Sequence, residues 1–186
     1  MMNIRLATCE IQKDSIVDGE GIRAVIWTQG CVHHCPGCHN PSTHSFEDGY
    51  VVSIEEVIEQ IKNLEAQDGV TFSGGDPMEQ ASACAAIAEY CQSIGLNVWC
   101  YTGYTFEELM KKAEKYPDIL KFLNFIDVLV DGRFLLKEKS YDVVFRGSKN
   151  QRLIDVPKSL TKKSVVLLEK YKDEIDNKKN KKTLFV

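Results

Sequence analysis

Cys31, Cys35 and Cys38 fall within eight residues, in the spacing C-x3-C-x2-C. Thiolates this close can hold one small metal centre, yet three are one short of a closed four-thiolate site. A centre short of one protein ligand keeps an open coordination position, where metals do chemistry rather than hold a fold. His33, His34, His39 and His44 lie around the loop, and any of them could close a structural Cys3His zinc site instead. Pro36-Gly37 allows the sharp turn that either centre needs. A second group, Gly74-Gly75-Asp76-Pro77, follows a short apolar run. Glycine lets a backbone approach a ligand with no Cβ in the way. Asp76 offers a carboxylate to a cationic group, and Pro77 suits a first helical turn.

The elements that must position these residues alternate along the chain. Arg23–Thr28 is β-branched and aromatic and reads as a strand running into the cysteine loop. Residues 40–52 read as polar and irregular. Ser53 and Glu56 form a capping box, followed by Ile54, Val57, Ile58, Ile61 and Leu64 at helical spacing. Gly69–Ser73 reads as a buried strand. The stripe Ala81, Cys84, Ala85, Ala88, Cys91 predicts a helix that Gly95 stops. Leu96–Thr102 and Phe125–Val130 predict strands, with a second capping box, Thr105 and Glu108, between them. Val143–Phe145 and Arg152–Ile154 predict two further short strands. Alternation of this kind predicts an α/β fold with a mainly parallel sheet, in which ligands gather at the carboxyl ends of the strands. Four chemistry-bearing segments fall at such ends: the cysteine loop, Gly74-Gly75-Asp76, Thr102-Gly103-Tyr104 and Asp131-Gly132.

The 186 residues suffice for one domain with its own core, and the net charge of −4 gives no footprint for nucleic acid or a membrane surface. No apolar run approaches a membrane span and the start lacks a secretory segment, so the expected place is the cytoplasm. Cys9, Cys84, Cys91 and Cys100 are scattered in apolar segments and read as small core residues. Trp27, Trp99 and Tyr101 also read as strand core. From Lys158 onward the chain is lysine-rich, with Lys162, Lys163, Lys170, Lys172, Lys178, Lys179, Lys181 and Lys182. Residues 156–186 are therefore expected to be a solvated extension of a 1–155 domain, not a domain of their own.

The glycine pair beside a three-cysteine loop resembles the radical S-adenosylmethionine (SAM) superfamily. The blocks Asp18–Arg23, Gly30-Cys31, Cys38-His39-Asn40, Thr71–Pro77, Trp99–Tyr104, Val128–Phe134 and Phe145–Gln151 resemble the glycyl-radical-enzyme activases within it. Among these they are most similar to the subgroup acting on anaerobic ribonucleoside-triphosphate reductase. The resemblance runs from about Ile16 to Ile154 and leaves out the lysine-rich tail. It implies a small, incomplete (β/α) parallel barrel of radical SAM type.

It also implies a [4Fe-4S] cluster held by Cys31, Cys35 and Cys38, with SAM at the fourth iron. Gly37, Cys38 and His39 match a stretch whose backbone contacts SAM near its adenine, and Gly74, Gly75 and Asp76 match contacts to its amino group. Asp131 stands where related activases place a polar residue on the SAM or substrate side, with strand-end turn chemistry as the alternative. Arg146, Ser148 and Asn150 could line the substrate mouth, or form a plain turn. His33 and His34 are expected to shield the cluster. Gly37 stands where many relatives carry an aromatic, which suits the reductase-activase subgroup. The implied reaction is one-electron cleavage of SAM and removal of a hydrogen from one glycine in the reductase's catalytic subunit. A small electron donor such as a flavodoxin or ferredoxin would complete it. A pyruvate formate-lyase-type activase, a small-molecule synthase, an iron–sulfur electron carrier and a zinc-stabilised binding module are the alternatives.

Overall fold

The structure, a computed structural model, describes residues 2–171. Of the lysines in the tail, Lys172, Lys178, Lys179, Lys181 and Lys182 lie outside the described residues.

Four parallel strands form the centre of the sheet: β3 (Arg23–Thr28), β5 (Gly69–Gly74), β6 (Asn97–Tyr101) and β7 (Val128–Asp131). Their partners at the flanks are antiparallel: β1 (Asn3–Leu6), β2 (Gln12–Ser15), β4 (Tyr50–Ser53) and β8 (Arg152–Asp155). The order is β4-β1-β3-β5-β6-β7-β8, with β2 also on β3. The parallel centre is the one expected from the alternation; the antiparallel flanks were not. Within 40–52, expected to be irregular, a 3-10 turn at Pro41–Thr43 leads to β4, which pairs with β1 along all four residues. β4 is an edge strand with Tyr50 and Val51 exposed, so it lacks the apolar run of a buried strand.

Strand alternation sorts the core into two faces. Ala24 and Ile26 of β3, Val70 and Phe72 of β5, Val98 and Cys100 of β6, and Leu129 of β7 join the main cluster with the helices. Both capping boxes form, opening α1 (Ile54–Lys62) and α3 (Phe106–Ala113). α2 (Ala81–Ser93) buries a row of alanines and Cys84 and Cys91, small enough for close approach to the sheet. It ends in a Schellman motif: Gly95, at φ +82°, donates to Gln92 O and Leu96 to Cys91 O, each at 3.0 Å. α4 (Pro117–Leu123) lays Phe122 edge-on to Phe72 at 5.2 Å. α5 (Val156–Lys162) buries Val156 and Ser159, and Leu160, Val165 and Leu167 also pack against the main cluster. Of the four scattered cysteines, Cys84, Cys91 and Cys100 are buried; Cys9 is exposed, in the bend after β1.

The opposite face carries Trp99, Val128, Val130 and Leu153, covered by Phe145 and Tyr171. Residues 143–145 are not a strand. Their ends are held by the Lys139–Ser148 bridge, Phe145 takes φ +56°, and its ring lies edge-on to both Trp99 and Tyr171. Arg23 is also buried on this face. Its guanidinium donates to Thr71 Oγ1, Asn97 Oδ1 and the carbonyls of Glu20, Val70 and Asn97. Burial pushes it down to about 10, with Asp127 and Tyr101 opposing. The Asp18–Arg23 block thus anchors the strand starts: Asp18 O accepts from Thr71 Oγ1, and a Cβ at Gly19 would meet the Trp99 ring at 2.9 Å.

Candidate active site

All four predicted segments stand at the carboxyl ends of β3, β5, β6 and β7. Cys31, Cys35 and Cys38 share a cavity of about 130 Å³ with Gly74, Gly75, Gly103 and Gly132. A larger cavity, about 490 Å³, lies beside the start of α2 and contains none of the three cysteines.

The Cys38 sulfur accepts from Asn40 N at 3.4 Å. Backbone N–H groups of His33 and His34 favour the Cys31 thiolate, and that of Phe134 the Cys35 thiolate, against the effect of burial. Burial pushes the Cys31 thiol up to about 11, and burial also raises Cys35. A thiolate withdrawn from water in this way is best stabilised by a positive centre, so the donor set suits a metal group. Among the described residues no three Cys, His, Asp or Glu side chains converge on a single ion position. Nor does a histidine complete a Cys3His set: His33 is bonded to Asp76, His34 and His44 lie against each other, and His39 lies against Phe134 at 4.7 Å. Three thiols around one cavity fit a cluster with separate metal atoms for separate cysteines.

The glycine pair has a steric cause that the sequence did not suggest. Gly74 takes φ +102°, and a Cβ there would lie 2.5 Å from Thr28 O. At Gly75 it would lie 2.3 Å from Gly30 O. The end of β5 therefore presses against the backbone that begins the cysteine loop. Gly75 N donates to Thr28 O at 2.7 Å and Asp76 N to Gly30 O at 2.8 Å. Backbone at Gly74 and Gly75 still lines the cavity.

Asp76 is 1% exposed and surrounded by donors. Its carboxylate accepts from Thr102 Oγ1 (2.9 and 3.0 Å), Gly103 N (2.9 Å) and Met78 N (3.0 Å). His33 Nε2 lies 2.7 Å from Asp76 Oδ2; a carboxylate only accepts, so that nitrogen carries the proton. The buried Nδ1 of His33 has no partner among the described residues. The His33 ring also fills the space a Gly103 side chain would need, 2.3 Å from its ideal Cβ, and meets Tyr104 edge-on at 4.4 Å. Tyr104 in turn donates to Glu79 at 2.5 Å and accepts from Lys112 at 2.8 Å.

Asp131 is equally buried and accepts from Phe106 N at the start of α3 (2.8 Å) and from Arg152 Nε (2.9 Å) and Nη2. Arg152 also bridges to Glu107, whose carboxyl it holds below the usual range. Neither Asp76 nor Asp131 is in the cavity wall, whereas Gly37 and Cys38 sit in the loop that Leu136 and Asn40 back. Ser148 accepts from Leu135 N, and Asn150 donates to Arg133 O. Gln151, the last residue of the Phe145–Gln151 block, latches the segment by accepting from Gly147 N at 2.8 Å and donating to Gly132 O at 3.0 Å. The partners of Thr102 and Arg152, Asp76 and Asp131, lie 26 and 21 residues away, so no local pattern announces these pairings.

Residues 17–154 match the family described as a 4Fe-4S single cluster domain, which makes the chain an iron–sulfur protein of the single-cluster class. Anaerobic ribonucleoside-triphosphate reductase-activating proteins are similar over most of their length. That of Vibrio cholerae is 35% identical over 145 residues, covering 73% of this chain and 89% of that protein. Those of Escherichia coli K12 and enterobacteria phage T4 are 34% and 31% identical, with 90% and 86% of their lengths covered. The chain belongs to the anaerobic ribonucleoside-triphosphate reductase-activating protein family. Among the described residues no helix is long and apolar enough to cross a membrane.

Proposed function

We propose that this protein is a radical SAM activase that installs a glycyl radical on the catalytic subunit of anaerobic ribonucleoside-triphosphate reductase. The observation that carries the reading is the convergence of three thiols and the Gly74–Gly75 backbone on one cavity that no histidine closes. When bound, the cluster and SAM supply a one-electron cleavage whose carbon radical takes a hydrogen atom from the target glycine. The fold is then the open (β/α) barrel of that superfamily.

The residues have separable tasks. Cys31, Cys35 and Cys38 would hold the cluster, and the N–H groups near their sulfurs, of Asn40 at Cys38, of His33 and His34 at Cys31 and of Phe134 at Cys35, would offset the thiolate charge. Backbone at Gly74 and Gly75 would receive the SAM amino group, and Gly37, Cys38 and His39 would receive its adenine end. Asp76 and Asp131 hold the wall in place, Asp76 through His33, Thr102 and Gly103, and Asp131 through Arg152 and α3. Phe134 and Leu136 cover the loop from above and narrow the approach of water. Residues 1–155 carry the proposed chemistry, and residues 156–171 pack against both core clusters as part of the same unit rather than as a solvated extension. Seven free cysteines suit a reducing cytoplasm.

The test is anaerobic reconstitution with iron and sulfide, then reductant, SAM and the reductase. Wild type should bind iron, release 5′-deoxyadenosine and give a glycyl radical by electron paramagnetic resonance. Cys35→Ala should lose both products; a Cys35→Ala protein with full iron and full turnover overturns the ligand assignment.

A further inference from the structure

The segment between β7 and β8 forms a charged hairpin over the cysteine loop, and the activity proposed above gives its lysines no task. Residues 133–149 carry five cations, Arg133, Lys137, Lys139, Arg146 and Lys149, against two carboxylates, Glu138 and Asp142, in a chain whose net charge is −4. Lys137, Lys139 and Lys149 are exposed, and none of the three is in an ion pair among the described residues. They share one small surface, because the arms of the hairpin are bonded together: Lys149 N to Glu138 O at 2.9 Å and Ser140 N to Gly147 O at 3.3 Å. Leu136 is 56% exposed and Tyr141 is 90% exposed on the same hairpin, with Lys139 over the Tyr141 ring at 5.1 Å.

The hairpin meets the cysteine loop. Phe134 lines the same cavity as Cys35 and lies on His39 at 4.7 Å, and the Leu136 side chain backs Gly37. A protein seated on this surface would be separated from the cysteine loop by one layer of residues. Electron entry needs such a short path, and unpaired lysines around an aromatic and a leucine suit a transient, electrostatically steered encounter.

We propose that the 133–149 hairpin is the docking surface for an acidic one-electron carrier protein. This rests on the activase reading. In the step, the reduced carrier gives up one electron and the cluster gains it, with no bond formed or broken in this chain.

The experiment replaces Lys137, Lys139 and Lys149 together with glutamate and uses a reduced acidic flavodoxin as probe. In stopped flow, reduction of the cluster by the flavodoxin should slow about tenfold or more at low salt. Wild type should slow on raising the salt, while the variant should not. Reduction by dithionite, iron content and SAM affinity should stay as in wild type, which excludes misfolding. A nuclear magnetic resonance titration of labelled flavodoxin with each protein reads binding independently of turnover. Equal flavodoxin binding and reduction in both proteins overturns the proposal. So does a variant that accepts electrons normally but no longer binds the reductase, which would assign the hairpin to that partner. Wild type lacking any iron–sulfur cluster would instead overturn the activase reading itself.

Discussion

Asp76→Asn separates a carboxylate that supports the site from one that touches its ligand. The substitution keeps the shape but turns one oxygen into a group that only donates. His33 Nε2 and Gly103 N both converge on Oδ2, and Met78 N on Oδ1. The remaining oxygen can keep the first pair, leaving the new NH2 against the Met78 N–H. Losing that cap costs about 1 kcal/mol. Two donors buried face to face cost about 2 kcal/mol more. The sum, about 3 kcal/mol, is roughly a hundredfold in the folding constant. Urea unfolding of the reduced, metal-free protein measures it without SAM. Equilibrium dialysis of the reconstituted protein then gives SAM affinity. A support should lose stability in the metal-free protein; a direct ligand contact would lose SAM affinity alone. Asp76→Asn with wild-type stability and weakened SAM binding would refute the supporting role.

Gly75→Ala should misplace the cysteine loop and lower iron content, because its Cβ meets the Gly30 carbonyl. Gly95→Ala, in open space at φ +82°, should cost only about 1 kcal/mol and leave iron unchanged. Arg152→Gln should cost about 3 kcal/mol at neutral pH, chiefly by stranding the buried Asp131. Arg152 lowers the folded pKa of Glu107, so that part of the stability is present above the unfolded carboxylate value near about 4.3 and is lost as pH falls through the folded value. The gap between Arg152→Gln and wild type, followed by urea unfolding, should therefore narrow in acid; a gap that widens there contradicts the sign.

Local signals carried far. Ser53 with Glu56 and Thr105 with Glu108 marked helix starts because each box closes within four residues, and Gly95 marked a stop for the same reason. The cysteine spacing is equally local. What stayed hidden depends on distant pairing. β1, β2 and β4 are short strands at the flanks, and Gln12, Lys13 and Asp14 of β2 are exposed, so no apolar run announces it. Asp76 and Asp131 stand at strand ends, where a carboxylate reads as a ligand contact. Their nearest side-chain partners are 21 to 43 residues away, beyond the reach of any periodicity. The glycine pair was legible as a close approach, but not that the approaching group is the chain's own Gly30.

The face beneath the cavity has a consequence for how this scaffold can change. Tyr101, whose hydroxyl donates to Phe145 O at 3.0 Å, lines the cavity, and Trp99, Phe145 and Arg23 fill the space below. The site is a shallow dish on a solid base and cannot deepen without breaking that filling. Its rim is made by loops after the strands, chiefly the hairpin latched by Gln151. New specificity can thus arise by rewriting rim residues while the cysteine loop and the base stay fixed. Base and rim are separately mutable, so the same chemistry can be offered to a different protein surface.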